Sequence, residues 1–325
     1  MCMSMSLKTK DFYFGRNMDL DYKFGERVVI TPRNYKFKFK KEESMNSHFA
    51  IIGMASIVDN YPLYAEGVNE KGLGMAGLNF PDNAFYTEKV DEEKANITPF
   101  EIIPWVLGKC ENVDQTIELL NKTNIVAVPF SENLPLATLH WHIADREKSV
   151  VLECTKTGMH IYENPVHVLT NNPTFDFHMT NLSQYLNLNT SNPQNCFSEE
   201  VGINSFGKGA GSIGLPGDFS PASRFVKIAY LRLNSVCKDD EVSSVSQFFH
   251  LLDSVAVVNG SIMLDSGLEY MTTYSCCINA TKGIYYYKTY NNNQITAIDM
   301  NKEDLNSSEL IEYSLVNSQQ FLYAN

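Results

Sequence analysis

The order of apolar patterns along the chain is the strongest constraint on its fold. Strand-like segments come first, helical segments follow, and then strands, helices and strands appear again. A parallel doubly wound sheet would instead require single strands and helices in strict alternation. The order therefore predicts an α+β layered fold, and because no linker-like stretch divides the 325 residues, we expect a single domain over 1–325.

Individual segments carry this prediction. The predicted strands and hairpins are 2–7, 12–16, 49–58, the hairpin 66–80 turning at 69–72, four strands after Ala137, and the hairpin 283–300 turning at 291–293. The predicted helices are 98–107, 113–121, 224–236 and 244–255, with Pro104 kinking or capping the first. Lys and Phe alternate over 36–41, which predicts one more strand with a solvated lysine face.

Composition excludes several classes of partner. The net charge of −12 argues against nucleic acid, whose phosphates require clustered lysine and arginine. No stretch of about 18 apolar residues exists, so no membrane insertion is expected, and the first residues do not resemble a secretory signal. The seven cysteines are odd in number and form no C-x-x-C pair, which fits reduced thiols in a cytoplasmic protein.

Cys2 lies directly behind Met1. Methionine aminopeptidases remove Met1 when the next side chain is small, so we expect the mature chain to begin with Cys2. Such a residue combines a thiol that titrates at about 8.5 with an α-amine that titrates at about 7.7–8.0. An N-terminal amine can activate its own side chain as an amide-cleaving nucleophile. A cysteine at position 2 is usually incidental, so the interpretation depends on the rest of the chain.

Five separated segments resemble one family. They are Met1-Cys2, FGRNMD at 14–19, NEKGLGMAGLNFP at 69–81, LTNNPTFD at 169–176 and GLPGDFSPASRF at 214–225. Together they resemble the choloylglycine hydrolase family of N-terminal nucleophile hydrolases, which comprises bile salt hydrolases and penicillin V acylases. The resemblance covers essentially the whole chain. It implies a four-layer αββα sandwich of two antiparallel sheets flanked by helices, and neither a metal nor another cofactor.

The resemblance also implies a set of catalytic residues. Cys2 would be the nucleophile, Arg16 would favour its thiolate, and Asp19 would orient its α-amine. Asn79 and Asn171 would donate to the oxyanion, and Arg224 would complete the polar network. Taken singly, Arg16 with Asp19 could be a surface ion pair, the asparagines could be turn residues, and Arg224 could begin a solvated helix. Their order along the chain favours the functional interpretation.

The substrate class depends on an apolar wall that the resemblance places near the nucleophile. Its members are Met18, Tyr22, Phe24, Val58, Ala65, Phe130 and Leu134, which could otherwise be ordinary core residues. Bile salt hydrolases tend to carry Asn at the position of Asn79, where many penicillin V acylases carry Tyr. We therefore expect hydrolysis of glycine- and taurine-conjugated bile salts. The alternatives are a penicillin V acylase and a non-catalytic protein that binds bile acids or other amphiphiles.

Three further features bear on ligands and assembly. His140 and His142 lie two apart on one predicted strand face, but a third metal ligand is missing, so packing in the sheet is favoured. Cys276 and Cys277 are expected to be buried thiols. Family analogy implies a homotetramer, with the long irregular stretch 188–217 as an assembly loop.

Overall fold

A computed structural model describes residues 2–325; the expected removal of Met1 concerns a residue outside this range. The strands are β1 (Cys2–Lys8), β2 (Phe12–Leu20), β3 (Arg27–Thr31), β4 (Ile51–Val58), β5 (Tyr61–Asn69), β6 (Gly74–Asn79), β7 (Ala95–Ile97), β8 (Thr123–Ile125), β9 (Leu139–Ala144), β10 (Ser149–Thr155), β11 (Gly158–Glu163), β12 (Val168–Leu169), β13 (Met271–Asn279), β14 (Ile284–Thr289), β15 (Asn292–Asp299) and β16 (Ile311–Ser314). The helices are α1 (Ile102–Lys109), α2 (Val113–Asn121), α3 (Phe175–Asn181), α4 (Pro221–Asn234) and α5 (Glu241–Asp253).

Two large antiparallel sheets build the fold. One has six strands in the order β12-β1-β2-β13-β14-β15, and the other has eight in the order β11-β10-β9-β6-β5-β4-β3-β16. Strands β1 and β2 contact β6 across the space between the sheets. Helices α4 and α5 pack on the six-stranded sheet and α1 packs on the eight-stranded one. The predicted αββα sandwich is therefore confirmed.

Two apolar clusters fill the layers. The first contains Met5, Phe14 and Ile52 from the sheets together with Phe225 and Phe248 from α4 and α5. The second lies on the other face of the eight-stranded sheet, beneath α1 and α2. Every residue of β1 from Cys2 to Leu7 is buried, because a central strand of a sandwich is covered on both faces.

The hairpin of β1 and β2 lies at the centre of the six-stranded sheet. Gly15 of β2 faces the backbone of β13 so closely that a Cβ there would lie 2.0 Å from the Cys276 carbonyl oxygen. Only glycine allows this approach. The two strands therefore keep a tight and defined register over the segment that carries Arg16 and Asp19.

The predicted bounds of α2 are confirmed, whereas α1, α4 and α5 begin at other residues than predicted. Helix α4 begins at Pro221 rather than 224, because Ser220 accepts a hydrogen bond from the Ser223 amide and caps it. Helix α1 begins at Ile102 rather than 98, with Pro104 in its first turn, where a missing N–H costs little. Within residues 2–325, none of the helices combines the length and apolar character that a membrane crossing requires.

The prediction of a strand over 36–41 is wrong, because this segment does not pair with a neighbouring strand along its length. Its side chains do alternate, with Lys36 and Lys38 exposed and Phe37 buried. Its backbone makes a single isolated bridge, between Phe37 and Met45. Alternating burial reports an extended chain lying on a core, whereas a strand also needs a neighbouring strand along its length.

Candidate active site

Cys2 lies at the start of β1 with its side chain directed between the sheets. The antiparallel register pairs Cys2 with Met18 and Ser4 with Arg16, and side chains two apart share a face. Ser4 hydrogen-bonds His142 of the opposite sheet, which identifies this face as the inner one. Cys2 is only 3% exposed, and its Sγ lies 3.7 Å from Met18 Sδ.

Arg16 is fully buried on the same inner face as Cys2. Its Nη1 donates to the carbonyl oxygens of Gly77 at 2.6 Å and Ala65 at 3.1 Å, and its Nε donates to Asn17 O at 3.4 Å. Its Nη2 has no hydrogen-bond partner among residues 2–325. Backbone carbonyls of β5 and β6 therefore hold the guanidinium, and one of its nitrogens is left without an acceptor.

The electrostatics of Arg16 follow from its neighbours. Burial by itself lowers the pKa of Arg16, but negative charge on Cys2, Tyr274 and Glu66 raises it above its ordinary range overall. Cys2 is the largest of these raising influences. The guanidinium of Arg16 is therefore the positive charge that interacts with the Cys2 thiol on the inner face.

Arg224 and Asp19 form a second buried pair on the helix side of the sheet. Arg224 extends from the first turn of α4, and its Nη1 donates to Asp19 Oδ2 at 3.2 Å and to Cys2 O at 3.3 Å. Thr272 of β13 donates to the other oxygen, Asp19 Oδ1, at 2.6 Å. Both charged side chains are at most 1% exposed, so pairing offsets part of their desolvation.

Asn171 joins this pair to the backbone nitrogen of Cys2. Its Oδ1 accepts from Cys2 N at 2.6 Å and from Arg224 Nη2 at 3.0 Å. Because a guanidinium only donates, the oxygen and not the amide nitrogen must face Arg224. Asn171 Nδ2 donates one hydrogen bond to Asn79 O at 2.6 Å. Asn79, at the end of β6, has an exposed side chain.

The structure thus brings the six predicted catalytic residues into one connected arrangement. Each element contributes from a different direction: β1 and β2 from the centre, β6 from the opposite sheet, α4 from outside, and the segment after β12 from the edge. The thiol faces a cation while the nitrogen of the same residue is held by an amide oxygen. This arrangement suits nucleophilic attack by Cys2.

The seven predicted substrate-wall residues divide into two groups. Met18 touches Cys2 Sγ, the Ala65 carbonyl holds Arg16, and Tyr22 is 60% exposed at the end of β2. Burial, followed by the charges of Asp21 and Cys2, raises the pKa of Tyr22. Of the other four, Phe24 packs on the first cluster and Phe130 on the second. Val58 ends β4 and is partly exposed, and Leu134 is exposed in a loop.

Three supporting residues escaped the sequence reasoning. Glu66 lies 3.6 Å from Arg16 Nη1, Thr272 holds Asp19, and His178 Nε2 hydrogen-bonds the Asn171 carbonyl at 2.8 Å. Glu66 was visible as a lone carboxylate inside a buried strand. The threonine and the histidine carry no comparable signal, because their partners are distant in the sequence.

The histidines of β9 have protein partners on both ring nitrogens. His140 contacts Glu153 at 3.0 Å and Thr170 O at 2.9 Å, and His142 contacts Ser4 and Ser149, each at 2.9 Å. Residues 2–325 contain no group of three or more His, Cys, Asp or Glu side chains that could hold a metal. The two residues therefore act as buried links between strands.

Comparison with known proteins agrees with this arrangement. Residues 2–313 match the linear amide C–N hydrolases, choloylglycine hydrolase family. The chain is 47% identical over 325 residues to a bile salt hydrolase/transferase from Lactiplantibacillus plantarum, covering 100% of both chains. A mutant of the conjugated bile acid hydrolase from Clostridium perfringens superposes with a TM-score of 0.93 at 42% identity, covering 100% of both chains. A penicillin V acylase from Agrobacterium tumefaciens shares the fold, with a TM-score of 0.74 at 19% identity over 96% of this chain and 90% of that one. The chain belongs to the choloylglycine hydrolase family of linear amide C–N hydrolases.

Proposed function

We propose that this protein hydrolyses the amide bond of glycine- and taurine-conjugated bile salts, with the Cys2 thiol as nucleophile. The observation that carries the proposal is the placement of Cys2, whose thiol faces Arg16 while its nitrogen contacts Asn171 Oδ1. Relatives with 47% and 44% identity over nearly their whole length are named bile salt hydrolase/transferase. The geometry of the site supports the reaction, and the similarity to these relatives supports the substrate.

The reaction would proceed in two halves. The free α-amine of mature Cys2 takes the thiol proton, and the thiolate attacks the amide carbonyl carbon. The resulting tetrahedral intermediate collapses, the C–N bond breaks, and the protonated α-amine returns its proton to the leaving glycine or taurine nitrogen. Water, deprotonated by the same amine, then attacks the thioester and releases the free bile acid and the thiol.

Stabilisation of the oxyanion is assigned to two asparagines in this proposal. Asn171 Nδ2 carries two N–H bonds and uses one of them on Asn79 O. We assign its second N–H, together with the exposed amide of Asn79, to the oxyanion of the intermediate. Donors of this kind typically contribute about 2.7–4 kcal/mol to the transition state.

Asp19 and Arg224 would keep the amine and the amide in place. Arg224 holds Asn171 Oδ1 and the Cys2 carbonyl, and Asp19 compensates its charge. The apolar side of the substrate would rest on the wall that begins at Met18 and Ala65 and extends to Tyr22. A steroid presents the rigid apolar surface that such a wall accepts.

A panel of substrates tests the proposal. Purified protein is given taurocholate, glycocholate and penicillin V, and release of taurine, glycine and 6-aminopenicillanic acid is followed. We expect the two bile salts to be hydrolysed fastest, Cys2→Ala to abolish release, and Cys237→Ala, a half-buried thiol outside the site, to behave as wild type. A fraction that retains Met1, identified by intact mass, should be inactive because the Cys2 nitrogen is then an amide.

A dominant preference for penicillin V would replace the substrate assignment with the acylase alternative. Full activity of Cys2→Ala would contradict the nucleophile. Binding of bile salts without any release by the wild-type protein would instead indicate the non-catalytic alternative.

We further propose a single-domain, cytoplasmic, homotetrameric protein. All seven cysteines are free, as expected in a reducing compartment, and the first apolar cluster joins both sheets. The stretch 188–217 is irregular and exposes Phe197 by 81% and Phe206 by 105%, which supports a role in assembly. Light scattering measures the assembly directly, and a monomer at working concentration would contradict it.

A further inference from the structure

Glu66 is a fully buried carboxylate between the two sheets, and no step of the proposed reaction uses it. It lies on β5 of the eight-stranded sheet, where its neighbours along the chain are apolar or small. A buried carboxylate without compensation costs several kcal/mol, so its partners decide what it does.

The side chains that contact the Glu66 carboxylate come from the six-stranded sheet, opposite its own. Tyr274 of β13 donates to Oε2 at 2.8 Å, and Tyr285 of β14 donates to Oε1 at 2.7 Å. The Cys276 thiol lies 3.6 Å from Oε1, and Arg16 Nη1 lies 3.6 Å from Oε2. Two hydroxyl donors therefore fix the carboxylate, and Arg16 is the cation beside it.

The contact with Arg16 is electrostatic more than it is a hydrogen bond. At 3.6 Å the separation exceeds a normal charge-assisted bond, and the shorter bonds of Nη1 go to the carbonyls of Gly77 and Ala65. Arg16 Nη2 has no acceptor among residues 2–325. The backbone thus sets the orientation of the guanidinium, and the Glu66 carboxylate, close to the same Nη1, offsets part of its positive charge.

We propose that Glu66 is a positioning residue of the Cys2 site, which acts through Arg16 by offsetting part of its positive charge. This role of Glu66 rests on the proposed function only where turnover is concerned. The effect on the Cys2 thiol exists without substrate. Burial raises the pKa of Glu66, while Arg16 and then the two tyrosines lower it, and the direction overall is upward. The tyrosines therefore limit proton uptake by a carboxylate that burial would otherwise neutralise.

Several charged or titratable groups surround Glu66 and Cys2, the two residues that Arg16 connects. Glu66 is faced by Arg16, Tyr274, Cys276 and Tyr285. Cys2 is faced by Arg16, Arg224 and Tyr22, besides its own amine, and Asp19 pairs with Arg224. Removal of the Glu66 carboxylate leaves the contacts of Cys2 with Asn171, Met18 and Arg224 unchanged.

The variant Glu66→Gln tests the proposal. It keeps the volume and removes the negative charge beside Arg16, so the positive charge that acts on Cys2 is less offset and alkylation of the Cys2 thiol should extend to lower pH. The rate of alkylation by iodoacetamide is measured against pH by mass spectrometry of the N-terminal peptide. Since nucleophilicity falls with thiol pKa, the rate should rise about threefold on the acid limb and fall about threefold on the plateau.

Glu101→Gln is the matched control. Glu101 is also fully buried, but it accepts from the amides of Lys40 and Thr98 and packs beside the second cluster. Its loss should lower stability without moving the alkylation profile. A profile of Glu66→Gln that coincides with wild type, or moves to higher pH, would overturn the proposal.

The double variant Tyr274→Phe, Tyr285→Phe covers the case in which Glu66→Gln fails to fold. Without the two hydroxyl donors the pKa of Glu66 rises further, which favours its neutral form, so the same shift of the alkylation profile to lower pH is expected. A pH profile of alkylation that coincides with that of the wild type would contradict the proposed role of Glu66. For turnover of taurocholate, kcat should fall about threefold on the alkaline plateau with KM unchanged. If the protein hydrolyses no bile salt, the alkylation result still decides the role of Glu66.

Discussion

At the scale of single residues, the two buried arginines differ in how they are held. Arg16 is bound by backbone carbonyls, and its pKa is raised by Cys2, Tyr274 and Glu66 despite burial. Burial dominates at Arg224 and lowers its pKa, although Asp19 and Cys2 oppose this. Arginine keeps its proton in either case, so the site contains two permanent cations on opposite sides of Cys2.

Asn171→Ala should lower kcat about 10²- to 10³-fold while the protein stays folded. The variant loses the oxygen that accepts a hydrogen bond from Cys2 N, and it also loses the N–H that we assign to the oxyanion. Steady-state hydrolysis of taurocholate measures the loss, and circular dichroism checks the fold. Asn172→Ala is the control, because that side chain donates to Pro81 O away from Cys2, and it should cost less than tenfold. Equal losses in the two variants would contradict the assignment.

At the scale of elements, strand β2 links the two sides of the site. Because successive side chains of a strand point to opposite faces, Arg16 and Met18 lie in the space between the sheets, whereas Asp19 points toward α4. The neighbouring β13 supplies Thr272 to Asp19 in direct register and passes Gly15 at close distance. The packing of β2 against β13 therefore controls both halves of the network.

Gly15→Ala should destabilise the protein by about 3 kcal/mol or more, because the new Cβ would lie 2.0 Å from the Cys276 carbonyl oxygen and push two central strands apart. Urea denaturation at neutral pH measures the free energy of unfolding. Gly217→Ala is the matched control: a Cβ there meets nothing within 4 Å, so we expect a change within about 0.5 kcal/mol. A Gly15→Ala protein as stable as wild type would show that the strands can separate freely.

At the scale of the whole molecule, histidines that are buried or partly buried link stability to pH. Burial lowers the pKa of His167 and His178 to about 4 and that of His142 well below its usual value. Unfolded histidine titrates near 6.5. The unfolded chain therefore binds protons that the folded protein refuses, and stability should decline as the pH falls from about 6.5 to about 4.

His178→Gln should flatten this decline by up to about 3 kcal/mol at pH 4, since glutamine can still donate to Asn171 O and does not titrate. Urea denaturation at a series of pH values between 7.5 and 4 gives the slope. His250→Gln, on the exposed face of α5, should leave the slope as in wild type. A slope unchanged in His178→Gln would exclude His178 as a source of the acid sensitivity.

Much of the fold was predictable because its signals are local. The alternation of Cys2–Leu7 and Phe12–Arg16 predicted the first hairpin, and the glycine-rich turn after Asn69 predicted the second, which the structure places at β5 and β6. Helix starts were displaced where a cap decides them, as at Ser220. The stretch 36–41 failed because pairing depends on a partner strand that no local pattern reports.

The sequence alone determined the family, the layered fold and the identity of the residues that meet at Cys2, because motif order and strand alternation are properties of the chain itself. Only the tertiary structure decided that the side-chain oxygen of Asn171 accepts from Cys2 N. It also decided that Arg16 donates to the carbonyls of Ala65 and Gly77 and that Glu66 lies beside Arg16. Those contacts join residues more than 45 positions apart in every case, so they depend on how distant strands pair and how the two sheets stack. Hydrogen bonds and buried charges act over a few ångströms, and spacing along the chain does not fix distances on that scale.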